Sequence, residues 1–257
     1  MSRLKSGRAA ACGAPQDTVR ASIKDGTPQA AALQNNGIVV REFKHIIWDW
    51  NGTLLDDAQA CVDALNILLK DRKLPAISHE DYLEVFDFPV RDYYLKLGFD
   101  FSKHDWDEVS HDYHKAYART STSAHLREGA QAALTTIQAK GLGLSILSAC
   151  ELKILRRMIN ERGILPYFEH IYGLNDLYAS SKIDLGHALF NNTGLKKQGA
   201  LLIGDTTHDY EVAQAMGIPC ILMTGGHQSR RKLAALGCPV VQDFSGVLDF
   251  LFSPNPA

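Results

Sequence analysis

The chain has 257 residues, 46% of them hydrophobic and 22% charged, with a formal net charge of -2, which fits one large domain, or one domain with an insert, built on a full core. The balanced charge excludes a general nucleic-acid binder, which carries a basic face, and no apolar run reaches the ~18 residues of a membrane helix. Five dispersed cysteines without a C-x-x-C pair exclude a disulfide framework and fit a reducing compartment.

Residues 1–40 stand apart. Within residues 1–20, Arg3, Lys5, Arg8 and Arg20 face a single acid, Asp17, among many Ala and Ser. This composition reads as a flexible extension outside the fold, with an organelle transit peptide as the alternative. It lacks the apolar segment of a secretory signal. The expected location is cytoplasmic, with organelle targeting as the other reading.

Lys44-His45-Ile46-Ile47-Trp48-Asp49-Trp50 reads as a buried strand ending on a carboxylate, and Gly52 breaks it. From Asp57 the period becomes helical, with Ala58, Cys61, Val62, Leu65, Leu68 and Leu69 on one face and Asp56 or Asp57 placed to cap. Residues 78–118 are rich in Asp, Tyr, Phe and His and show helical patterns at 80–86, 90–97 and 106–119. The polar stretch 120–124 reads as a linker. Helices and strands then alternate. Helices are expected at 129–140, 151–162, 183–191, 208–216 and 230–236. Strands are expected at 142–147, 168–172, 200–203, 219–223 and 239–241. Short apolar runs between helices imply a parallel sheet covered on both faces. The predicted organisation is α/β: a doubly wound parallel-sheet core from 41–56 and 121–257, with a small helical domain inserted at 57–120.

Ligands of open parallel sheets bind beyond the carboxyl ends of the strands. Those ends carry Asp49, Ser148 and Gly204-Asp205, with Asp209 four residues further and Lys182 at the start of a helix between the last two. Three converging carboxylates raise one another's pKa and call for a hard cation. Lys182 offsets charge on a nucleophile or a phosphoryl group, and Ser148 and Thr53 supply neutral donors. Positioning and charge stabilisation are what phosphoryl transfer requires. Singly, each residue has a plainer reading: Asp49 as a strand-end cap, Ser148 as the N-cap of the next helix, Lys182 as a surface lysine, Asp209 as a helix-start acid. His208 reads as a loop residue.

Asp49-Trp50-Asn51-Gly52-Thr53-Leu54, Ser148, Lys182 and Gly204-Asp205-Thr206-Thr207-His208-Asp209 resemble, in order and spacing, the four motifs of the haloacid dehalogenase-like hydrolases. The likeness runs from about residue 43 to about residue 252 and is nearest the phosphoglycolate phosphatase and β-phosphoglucomutase branch. It implies a Rossmann-like core with a helical cap. It implies Asp49 as nucleophile, and Mg²⁺ held by Asp49, the Asn51 carbonyl and Asp205, with Asp209 behind the metal waters or Lys182. It implies a phosphoryl group bound by Thr53, Ser148 and Lys182. The cap loop around Pro89 and Arg91 would face the substrate, although Arg91 reads equally as a surface arginine.

Three positions depart from the pattern. Asn51 stands where an acid–base aspartate is usual, Ala149 where Asn often follows the serine, and Ile183 where Pro often follows the lysine. An amide can neither donate nor accept the catalytic proton, a contribution of ~10²–10⁴-fold. The leading expectation is a Mg²⁺-dependent phosphatase acting on a small phosphorylated metabolite, with no nucleic-acid or membrane partner, as monomer or homodimer. The alternatives are a catalytically weak phospho-ligand binder and a phosphomutase.

Overall fold

The computed structural model describes residues 32–35, 38–174 and 181–253. Most of the N-terminal stretch set apart above lies outside these residues. Its described part, β1 (Ala32–Asn35) and β2 (Ile38–Arg41), forms an antiparallel pair.

The core is a six-stranded parallel sheet of order β10-β9-β8-β3-β6-β7. Its strands are β3 (His45–Trp48), β6 (Gly143–Glu151), β7 (His170–Leu174), β8 (Ala200–Gly204), β9 (Cys220–Met223) and β10 (Val240–Val241). β3, the first of them in the chain, pairs with β6 on one side and β8 on the other. The chain therefore reverses its direction of winding at β3. That is the switch point beyond whose strand ends a crevice opens.

All four residues of β3 and all five of β8 are buried, because helices cover both faces. On one face α5 (Ala130–Ala139), α6 (Leu152–Glu161) and α10 (Phe244–Phe252) pack on Ile46, Trp48, Leu144, Ile146 and Ile203. On the other, α7 (Lys182–Thr193) and α8 (Thr207–Met216) pack on Ile47, Leu147 and Leu202, with Leu233 of α9 (Arg230–Ala234) in the same cluster. This two-sided burial makes the strands read as continuous apolar runs rather than alternating ones.

Between the core segments, β4 (Leu55–Asp56) and β5 (His125–Leu126) pair antiparallel and bring the ends of the helical insert together. The insert contains α1 (Ala58–Asp71), α2 (His79–Val85), α3 (Val90–Lys96) and α4 (Trp106–Thr120). These close on their own cluster of Cys61, Leu65, Leu68, Tyr82, Tyr93, Tyr94, Phe99 and Val109. Gln228 Nε2 and Lys232 Nζ both donate to the Phe86 carbonyl, at 3.1 and 2.7 Å, and Ser229 N–H donates to the Leu83 carbonyl at 3.0 Å. The insert is thereby docked on the loop after β9. Among the described residues no helix is long and apolar enough to cross a membrane.

Two expectations need correction. Asp57 sits at the N-cap position of α1, but its side chain caps nothing. Ser148 does not cap α6; Glu151 does, accepting from Lys153 and Ile154 N–H, because β6 continues past Ser148 to pair with Leu174 beyond an irregularity. α10 carries no sequence expectation above and is present.

Candidate active site

Asp49 follows the last residue of β3, and its N–H donates to the Ile203 carbonyl at 2.9 Å. The chain then turns, with Leu54 and Leu55 N–H both returning to the Trp50 carbonyl at 3.0 and 2.9 Å. Gly52 makes this turn at φ +71°; a Cβ there would lie 2.4 Å from Asp205 Oδ2 and 2.6 Å from His227 Cδ2. A Cβ on Gly226 would lie 2.2 Å from the same oxygen. Two backbones thus close on the Asp205 carboxylate because neither carries a side chain. Arg127 fastens them together, donating to the Gly52 carbonyl at 2.9 Å and the Thr224 carbonyl at 2.6 Å.

Asp49, Lys182 and the Asp205/Asp209 pair, three segments far apart in sequence, meet beneath this turn. The Lys182 ammonium, 5% exposed, donates to Asp49 Oδ1 and to Asp209 Oδ1. Asp209 Oδ2 accepts from the N–H and hydroxyl of Thr206 at 3.0 and 2.7 Å, closing a capping box on α8. Thr53 Oγ1 donates to Asp205 Oδ1 at 2.8 Å and stands 3.5 Å from Asp49 Oδ2. Ser148 Oγ accepts from Cys150 N–H at 3.0 Å, and Ser148 lines the same cavity as Asp49 and Lys182. Pro89 and Arg91 are both exposed, and neither lines that cavity. Arg91 instead lies over the Phe101 and Trp106 rings at 5.2 and 6.0 Å. The wall expected from this loop comes from its neighbours Phe86, Phe88 and Val90.

The electrostatics are those of a carboxylate surplus. Burial pushes the Asp49 carboxyl up, Lys182 pulls it down, and Asp209 and Asp205 push it up again, leaving it at about 8. Burial also raises Asp205. Asp209 is held low despite burial because Lys182 and Thr206 both bond to it. Burial opposes charge on Lys182, but Asp209 and Asp49 outweigh it, so the ammonium is retained. A divalent cation fits this surplus. Oxygens of Asp49, Asp205 and Asp209 lie within 4.8 Å of one another, and hard carboxylate oxygens are the donor set Mg²⁺ prefers.

Around Asn51 the structure holds a network that sequence reasoning missed. Asn51 Nδ2 donates to Asp57 Oδ2 at 2.7 Å and to the Tyr117 hydroxyl at 2.9 Å, and that hydroxyl donates to Asp57 Oδ2 at 2.6 Å. Gly52 N–H donates to Asp57 Oδ1 at 2.8 Å. His227 Nε2 pairs with the same Oδ1 at 3.4 Å, while its Nδ1 meets the Tyr82 hydroxyl at 2.9 Å and its backbone N–H donates to Asp205 Oδ2 at 2.6 Å. Burial alone would lower the His227 pKa. Asp57, with Asp205 and Asp49 beyond it, reverses this and holds the ring protonated, at about 9. Burial raises Asp57, and His227, Tyr117 and Asn51 together pull it below the ordinary value.

The signals for both residues were present. An amide at 51 followed by an acid at 57 is a displaced carboxylate, and Gly225-Gly226-His227 follows a strand end that the strand-end rule also covers. His208, beside the motif acids, stacks on Phe88 at 4.5 Å and lies 3.1 Å from Glu211.

The family "Haloacid dehalogenase-like hydrolase" matches residues 46–223. A phosphoglycolate phosphatase of Rhodospirillum rubrum is 30% identical over 136 residues, 52% of this chain and 56% of that protein. One of Yersinia pseudotuberculosis is 24% identical over 76% of this chain and 86% of its own length. Among solved structures, a haloacid dehalogenase-like family hydrolase of Streptococcus pneumoniae superposes with a TM-score of 0.69 at 20% identity, over 82% of this chain and 99% of that one. Mycobacterium tuberculosis protein tyrosine kinase A gives 0.68 at 22%, over 82% and 98%. The chain belongs to the haloacid dehalogenase-like hydrolases.

Proposed function

We propose that the chain is a Mg²⁺-dependent phosphoric monoester hydrolase that works through an aspartyl-phosphate on Asp49 and acts on a small phosphorylated metabolite. The observation that carries this is the convergence of Asp49, Asp205 and Asp209, beyond the ends of β3 and β8, with Lys182 at the start of α7 on one buried point. Phosphatase relatives at modest identity support the same reading.

Asp49 attacks phosphorus, and the ester oxygen departs toward the cavity. Thr53 and Ser148 hold phosphoryl oxygens, while Lys182 offsets their charge and that of Asp49. Asp49, the Asn51 carbonyl and Asp205 would hold Mg²⁺, with Asp209 behind; when bound, the ion neutralises charge on the phosphoryl oxygens. Water then cleaves the aspartyl-phosphate. The purified protein should release phosphate from members of a phosphometabolite panel with Mg²⁺, and Asp49→Ala should abolish that release while the melting curve stays cooperative. Release that survives in Asp49→Ala overturns the reading.

A second reading, transfer of the phosphoryl group to an acceptor hydroxyl instead of water, is favoured by Asn51. Without a carboxyl at 51 to activate water, the aspartyl-phosphate lives longer. One relative, from Mycobacterium bovis, is named a tyrosine-protein kinase and is 26% identical over 71% of this chain. Product carrying labelled phosphate on an added hydroxyl, at the expense of free phosphate, would favour this reading.

A further inference from the structure

Above Asp49 lies a cavity of about 850 Å³ between the insert and the core. Asp49, Ser148 and Lys182 line its phosphoryl end. Its walls include Tyr82, Phe86, Phe88, Tyr93, Trp106 and Tyr113. The rings already meet edge to face, Phe86 on Phe88 at 5.4 Å and Phe86 on Tyr93 at 5.3 Å, the arrangement that a further ring joins readily. Tyr93 carries a buried hydroxyl with no hydrogen-bond partner, a donor available to a polar substituent.

Groups able to read a second anionic group are scarce here. Arg157 and Arg162 are the guanidinium groups lining the cavity among the described residues. Arg162 is spent on the carbonyls of Met158 at 3.0 Å and Ala124 at 2.5 Å, and Arg157 faces Glu161 at 4.0 Å. Lys182 is held by two aspartates. A small leaving group ending in a carboxylate would leave most of this cavity unfilled, and among the described residues Lys182, Arg162 and the His227 ring are already bonded, while Arg157 is exposed to solvent.

The leaving-group chemistry points the same way. Asn51 has no proton to give an ester oxygen, and both of its described amide contacts run toward Asp57 and Tyr117. Protonated His227 is no substitute, because its ring nitrogens face Tyr82 and Asp57. A leaving group must therefore depart as an anion. A phenol, with pKa ~10, does this far more readily than an aliphatic alcohol, whose pKa is near the ~15.7 of water.

We propose that the substrates are aryl phosphates, phosphate esters of a phenolic hydroxyl whose ring occupies the aromatic cavity. This rests on the phosphomonoesterase reading above. Asp49 oxygen bonds to phosphorus as the phosphorus–aryl oxygen bond breaks, and the phenolate leaves with the electron pair and no proton. Water oxygen then bonds to phosphorus, and the phosphorus–Asp49 bond breaks to restore the carboxylate. One water proton departs with hydrogen phosphate, and the other neutralises the phenolate in solvent.

The test compares phenyl phosphate, tyrosine O-phosphate and a series of ring-substituted phenyl phosphates with phosphoglycolate and 2-hydroxyethyl phosphate, in Mg²⁺, on the native chain and Asp49→Ala. Expected are a kcat/KM for phenyl phosphate at least ~10²-fold above that for phosphoglycolate, and rates that fall steeply as the leaving phenol becomes less acidic. Calorimetry on Asp49→Asn should show phenyl phosphate binding at least tenfold tighter than phosphoglycolate, and Trp106→Ala should narrow that ratio. Asp49-dependent release that is equal or faster from the alkyl esters overturns the aryl assignment and leaves the phosphatase intact. Absence of Asp49-dependent release from every ester overturns both.

Discussion

The amide of Asn51 lies 2.7 Å from Asp57 Oδ2, and this one contact changes what a substitution there will do. Two carboxylates at that separation cannot both ionise, so Asn51→Asp alone would share a proton with Asp57. We expect it to raise turnover of alkyl phosphates by less than tenfold, with a lower melting temperature. Asn51→Asp combined with Asp57→Ser removes the competing charge and should raise the same turnover by about 10²-fold. Steady-state kinetics on phosphoglycolate check this, and a full gain from the single change would mean that Asp57 imposes no constraint.

His227 gives the second expectation at this scale. Its pKa is about 9 in the fold, against 6.5 for the model imidazole, so it binds its proton more tightly when folded. The resulting stability is fully present below pH 6.5 and is lost as pH rises through 9, on the order of 3 kcal/mol at most. Asp49, raised to about 8 without a cation, contributes in the same direction, with stability lost as pH rises from about 4 to 8. Thermal melts of metal-free protein should fall in temperature from pH 6.5 to 9, and His227→Gln should flatten the upper part of that fall.

Individual elements show how a strong local pattern can pass unread. α10 follows Asp243, whose carboxylate accepts from Gly246 N–H at 2.9 Å. Its buried Phe244, Val247 and Leu251 fall at helical spacing. Cap and periodicity were both in the sequence, but the alternation of strand and helix ended one element early. The element matters because Phe244 packs against Trp48 of β3 at 5.7 Å, directly behind Asp49. Phe244→Ala should destabilise the fold by about 3–5 kcal/mol, measured by denaturant titration, and should lower the melting temperature without changing KM. The helices of the insert were legible from their apolar spacing. The short β4–β5 pair was not, because two-residue strands carry no period and exist only once residues 55 and 126 are brought together.

For the whole molecule the dominant quantity is uncompensated negative charge under the turn after β3. Among the described residues, the Lys182 ammonium bonds Asp49 and Asp209, only the His227 backbone N–H reaches Asp205, and Asp57 already claims the His227 ring. A cation that binds the folded state and not the unfolded chain stabilises it by about 2.7 kcal/mol at a hundredfold excess over its Kd. Adding Mg²⁺ at pH 8 should therefore raise the melting temperature, and EDTA should reverse it. Asp205→Asn should remove most of the response, whereas loss of a surface acid such as Glu161 should leave it intact.

The sequence by itself determined the α/β class and the strand ends that carry Asp49 and Asp205, whereas Ser148, expected at a strand end, lies within β6. These follow from local rules: apolar runs of strand length, helical spacing between them, and the position of ligands at the ends of parallel strands. It also exposed Asn51 as the departure from the family pattern. What surrounds that amide was decided by tertiary structure alone. Asp57, Tyr117 and His227 come from a helix start, a cap helix and a loop after β9, and no periodicity links them. They converge because the insert folds back over the switch point of the sheet, where burial turns three ordinary polar residues into one charged network. The aromatic cavity has the same origin. Its rings read along the chain as the core of a small helical domain, and only the docking of that domain above Asp49 makes them the wall of a site.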